Sequence, residues 1–170
     1  MNPPLRKDGL RAQLPLLDRL IDDAPDQTID PPLSAGEAVM ALRRSVLRDL
    51  EALLNARRRW QSWPSHLTEL SLSAIGYGLP DFTAGALHDP AQRERLRAEI
   101  EATIARFEPR LTALRVVVID DAEILEPRLR LRIEALLHAE PAHEPVAFET
   151  MFDTTTAEMT VREQRGTQNV

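Results

Sequence analysis

At 170 residues with a net charge of −6 and no cysteine, the chain has the size of one domain with tails, long enough to bury a core without staples. The absent thiols exclude disulfides and thiolate metal sites and fit a reducing compartment. The acidic balance argues against broad nucleic-acid binding, which needs a basic face. No run approaches the roughly 18 apolar residues that span a bilayer, nor the apolar core of a signal peptide, so a cytoplasmic protein with no direct membrane insertion is expected.

Residues 1–33 read as an N-terminal arm. Pro3, Pro4, Pro15, Pro25, Pro31 and Pro32 prevent one long helix. Within the arm, Leu14, Leu17, Leu20 and Ile21 form an amphipathic turn or two, too short to fold alone, which is expected to dock on the main domain or on a partner. The domain proper is expected over 34–163, followed by a disordered tail over 164–170.

Ser34 and Glu37 have the spacing of a capping box, and Val39, Leu42, Val46, Leu50 and Leu53 follow as one buried helical stripe that frays near Asn55. Arg43, Arg44, Arg48, Asp49 and Glu51 fall off that stripe. Residues 57–89, punctuated by Gly76, Gly78, Pro80 and Gly85, read as a structured loop with short helical turns. A second helix is predicted from Asp89, with Pro90 at its first position, Gln92 completing a capping box, and Leu96, Ile100, Ile104 and Phe107 as its stripe. Pro109 stops it.

The apolar period then drops from 3.6 to 2. Residues 111–119 are apolar on both faces, as in a covered strand. Residues 128–140 alternate, with Leu129, Leu131, Ile133, Ala135 and Leu137 inward and Arg128, Arg130, Arg132, Glu134 and His138 outward, ending at Pro141. Residues 145–152 place Val146, Phe148, Thr150 and Phe152 on one side. "DTTT" turns the chain into a short strand over 158–163. Two helices followed by strands on short connections predict an α+β fold, in which two main amphipathic helices pack on a C-terminal antiparallel β-meander of three to four strands.

Chemistry is sparse. His66, His88, His138 and His143 lack metal-ligand spacing and read as exposed. There is no Gly-x-Ser-x-Gly elbow, and "GYG" at 76–78 is not a phosphate loop. Glu108, Asp120, Asp121 and Glu123, with Glu69 and Asp81 in the loop, are carboxylates a glycoside hydrolase could draw on, but nothing marks a pair. No catalytic residue, metal or cofactor is expected. Arg57–Trp60 mixes bases with an aromatic, as single-strand binders do; the plainer reading is a solvated helix end. The outward arginines of the second strand read either as a wet sheet face or as a dock for an acidic partner.

The remaining feature is Glu108-Pro109-Arg110. In extended chain, residues 108 and 110 point the same way and Pro109 stiffens them, giving an acid–base pair held outward at a corner. The plainer reading is a helix stop with a local ion pair worth at most about 1 kcal/mol. The triplet recurs at 126–128.

Five stretches occur in an order that resembles the TssE family of bacterial type VI secretion baseplates and, more distantly, contractile-phage baseplate wedge proteins once labelled lysozyme-like. They are "LLDRL" at 16–20, "LRRSVLRDLEALLNARR" at 42–58, "LSAIGYGLPDF" at 72–82, "IARFEPRL" at 104–111 and "LRLRIEALL" at 129–137. The family's Glu-Pro-Arg follows a helix and opens the sheet, which matches Glu108, Pro109 and Arg110 rather than the copy at 126–128. Gly76 departs from the pattern, where Asn is expected. The resemblance implies a structural, non-enzymatic role in the cytoplasm at the inner membrane. It implies partners TssF and TssG, contacted through the triplet, and the sheath proteins TssB and TssC. The competing implication of the old label is a peptidoglycan-cleaving enzyme.

Overall fold

The computed structural model describes residues 15–21, 25–26, 33–58, 64, 66–82, 89–119, 128–139, 143–153, 156 and 158–164. Among these residues three α-helices, α1 (Leu16–Leu20), α2 (Ala35–Asn55) and α3 (Pro90–Phe107), precede four strands, β1 (Leu111–Ile119), β2 (Arg128–Leu137), β3 (Glu144–Asp153) and β4 (Met159–Glu163). The strands form one antiparallel sheet in the order β1-β2-β3-β4. The fold is the expected α+β arrangement.

Local chemistry sets the helix ends. Ser34 Oγ accepts from the Glu37 N–H at 3.3 Å and the Glu37 carboxylate accepts from the Ser34 N–H at 2.8 Å, completing the capping box. At α3 only half of the expected box forms: Asp89 Oδ1 accepts from the Ala91 N–H at 2.9 Å, one position earlier than the motif requires. Between α2 and α3, two short 3-10 turns over Thr68–Leu72 and Ala74–Gly76 give the loop its order.

The core lies between the helices and one face of the sheet. Leu42, Val46, Leu50, Leu53 and Leu54 of α2 and Leu96, Ile100 and Ile104 of α3 meet Leu131, Ile133, Phe148, Phe152 and Val161. β2 and β3 alternate as their sequences predict, with Leu129, Leu131, Ile133, Ala135 and Leu137, and Val146, Phe148, Thr150 and Phe152, all buried.

β1 departs from expectation. Only Leu111 and Val116 are buried, so it is not covered on both faces. The register explains the odd spacing: Ala113 and Leu114 lie between the pairs Thr112↔Leu136 and Arg115↔Glu134, two residues against one. Ala113 takes φ 48°, and this bulge returns Val116 to the inner face.

Helix side chains close part of both sheet edges. Glu101 accepts from the Val116 N–H at 3.0 Å and Arg97 donates to the Val116 carbonyl at 3.3 Å. At the opposite edge Asn55 donates to the Met159 carbonyl and accepts from its N–H, both at 2.8 Å. These side chains take up edge groups that would otherwise be open to pairing.

Candidate functional site

The turn that ends α3 builds the site. The Leu111 N–H donates to the Glu108 carbonyl at 3.1 Å, closing a turn with Pro109 at its second position, where fixed φ suits it. The connection is therefore a tight turn and not the extended link expected from sequence. The turn folds the Arg110 side chain back onto Glu108.

Glu108 does not point outward. It is 4% exposed, among few buried charges. The Arg110 Nε donates to Glu108 Oε1 at 2.5 Å and Nη2 donates to Oε2. Arg110 also reaches α2, donating to Ser45 Oγ at 3.1 Å and to Asp49 Oδ2 at 2.7 Å. The expectation of two outward-held charges is thus corrected. The nearby partners satisfy both charges, because burying a carboxylate without a donor costs far more than fixing a side chain. Burial by itself would depress the Arg110 pKa, but Glu108 and Asp49 outweigh it and raise that pKa above its ordinary value. Pro109 is exposed and the Arg110 side chain is 23% exposed, so the corner keeps an outer surface.

Beside the corner lies a groove of about 600 Å³. Leu42, Leu53, Tyr77, Phe107 and Pro109 form its apolar wall, and Asp49, Glu108 and Arg110 its polar one. Tyr77 meets the Phe107 ring edge-on at 5.3 Å. Burial, with the negative charges of Asp49 and Glu108, pushes the Tyr77 phenol pKa above its ordinary 10.0. Pro15, which precedes α1, also lines the groove. There α1 is tied down by Asp18, whose carboxylate accepts from Arg48 Nη1 at 2.6 Å, while Leu16, Leu17, Leu20 and Ile21 are 50–76% exposed.

Two glycines shape the loop under the groove. Gly78 has φ +94°, and a Cβ there would lie 2.4 Å from the Ala56 carbonyl oxygen. At Gly76 a Cβ would lie 2.5 Å from the Ser71 carbonyl oxygen. A side chain at 76 would force the backbone to shift, so in this chain the position serves close packing.

Other candidates scatter. Arg58, read as part of a solvated helix end, is 9% exposed and donates to Glu99 at 2.8 Å, tying the loop to α3. Arg59 and Trp60 lie outside the described residues, as do Asp120, Asp121, Glu123, Glu126, Pro127 and Pro141. Glu69 and Asp81 are both exposed, 12 positions apart in the loop. His138 and His143 are exposed as expected, but they also meet, Nδ1 to Nε2, at 3.0 Å. Sequence reading missed Asp49 and Ser45 as partners of the triplet. Their signal was a polar pair on α2 facing the core side, visible only once α2 is laid against the β1 start.

No described helix is long and apolar enough to cross a membrane. No curated protein matches the chain. The family model described as "Baseplate wedge protein gp25" matches residues 40–142, more than half of the chain, running from the first core turns of α2 past the triplet to the end of β2. The span includes the whole groove wall contributed by α2, α3 and the corner, and the chain belongs to the baseplate wedge protein gp25 family.

Proposed function

We propose that this chain is a TssE-like structural subunit of a type VI secretion baseplate. It joins a wedge core of TssF and TssG and helps start the TssB–TssC sheath, within a cytoplasmic assembly docked at the inner membrane. Family membership supports the structural role. The single observation that carries the finer reading is the groove at the Glu108-Pro109-Arg110 corner, a partly apolar cleft with fixed charges and an exposed proline rim.

The corner acts differently from a pair of free charges. Glu108 is the positioning residue: it fixes the Arg110 guanidinium plane. Arg110 and Asp49 then offer their exposed edges, and Pro109 offers a rigid apolar rim that loses little entropy on docking. The cluster of Asp18, Asp49 and Glu108 with Arg48 and Arg110 carries one net negative charge, three acids against two bases. A basic side chain on the wedge core complements it.

Sheath contact falls on a strand edge by β-augmentation. Both edge strands lie along a helix, β1 along α3 and β4 along α2, and on β4 the Asn55 clamp covers Met159 alone among the described edge groups. Val161 and Glu163 share the orientation of Met159 in the alternating ladder and stand free of that clamp. β4 is the edge we assign to the sheath.

The test is binding of the purified chain to a TssF–TssG complex. Pro109→Asp and Arg110→Lys should each weaken it at least tenfold while circular dichroism stays unchanged. Unaltered binding in both variants would reject the groove. Clearing of purified cell walls that disappears with Glu108→Gln would replace the structural reading with an enzymatic one.

A further inference from the structure

The sheet face opposite the helices is a second surface, separate from the groove. The register places Arg132 on β2 and Arg162 on β4 directly opposite Glu149 on β3, one on each side. Adjacent strands lie about 4.8 Å apart, so the two arginine backbones stand roughly 10 Å apart with the glutamate between them.

Glu149 is shared loosely between two arginines of β2. Glu149 approaches Arg130 at 3.7 Å and Arg132 at 3.8 Å, beyond hydrogen-bond length. Arg132 Nε is shut off from solvent and has no hydrogen-bond partner. Arg162 is exposed and makes no ion pair among the described residues. Along the described face, Arg115, Arg130, Arg132 and Arg162 interleave with Glu134, Glu149, Asp153 and Glu158, a balanced face on a chain that carries −6. The balance is local, and the Arg162 end holds a cation without an ion pair among the described residues.

The interleaving selects the ligand. Val117 stands opposite Arg132, and Met151 stands opposite both Arg130 and Thr160. Continuous phosphate arrays of nucleic acid or anionic lipid would meet the retained carboxylates of Glu134 and Glu149. A polypeptide places single carboxylates between apolar side chains, and guanidinium groups hold a carboxylate at two points. We propose that this face docks an acidic polypeptide segment of a partner protein, with carboxylates entering beside Arg132 and Arg162 and apolar side chains resting on Met151 and Val117.

The experiment places a photo-crosslinking phenylalanine analogue at Thr160, exposed on this face, in the full chain within producing cells. Mass spectrometry then reads the adduct. The expected adduct is a segment of another protein bearing Asp or Glu next to apolar residues, and its yield falls at least tenfold in Arg162→Glu. Arg132→Gln, which keeps the side-chain bulk, should lower the yield in the same direction if Arg132→Glu does not fold. An adduct with lipid, nucleic acid, a second copy of this chain or an acid-free segment overturns the proposal. So does no adduct, or a yield indifferent to Arg162. The groove is read by a different measurement, binding of the purified Pro109→Asp chain to the wedge core, so the two surfaces fail or stand separately.

Discussion

Glu108 and Arg110 are separated by one proline and brought face to face by the turn that proline fixes. Glu108 has lost almost all its water, and its replacement solvent is the Arg110 guanidinium. Removing either partner therefore costs more than a surface pair would. Glu108→Ala should destabilise by about 3 kcal/mol, the low end for a broken buried pair, because Arg110 keeps Asp49 and Ser45. Arg110→Ala should cost more, because it strands a buried carboxylate. Urea midpoints for the two variants check both the size and the order. Tyr77 supplies an independent probe of the groove, since it is the chain's single tyrosine. Its phenolate absorbance should appear with a midpoint above 10.0. Asp49→Asn should lower that midpoint without restoring it, because burial is the larger cause. A midpoint at the ordinary value would mean that the groove wall is open to water.

Among the elements, α1 is the weakest. A helix of five residues does not persist in water by itself, and it is fastened at Asp18. The Arg48 hydrogen bond holds the Asp18 carboxyl below its ordinary 3.8. A depressed folded-state value means that the fastening is present above 3.8 and fades as pH falls through the lower, folded value. The amide resonances of Leu17–Ile21 should move toward free-chain positions on acidification below about 3.8. In Arg48→Ala they should sit there already at neutral pH. Amide positions that ignore both changes would show that Asp18 is not the anchor. Helix starts and the inward faces of β2 and β3 were legible in sequence, because capping and alternation are local. The β1 bulge was not, because nothing about Ala113 announces a left-handed backbone; the register imposed by β2 requires it.

For the molecule as a whole, α2, α3 and all four strands share one core, and Phe148 stands fully buried within it. Phe148→Ala should cost about 3–5 kcal/mol, lowering Tm by roughly 10 °C in a single transition. Two transitions would mean that the sheet and helices unfold apart. What the sequence determined by itself was the fold class, most element boundaries within a residue or two (β2 ends at Leu137, three residues before its expected limit), and which residues of β2 and β3 face inward. Periodicity and caps act over a few neighbouring residues. What only the tertiary structure decided was the partners that polar and charged side chains find far along the chain. Arg110 finds Asp49 from 61 residues away and Arg58 finds Glu99 from 41. Asn55 clamps Met159 across 104. A buried ionic group must be matched wherever the chain brings a counter-charge close, and no local pattern records where that will be.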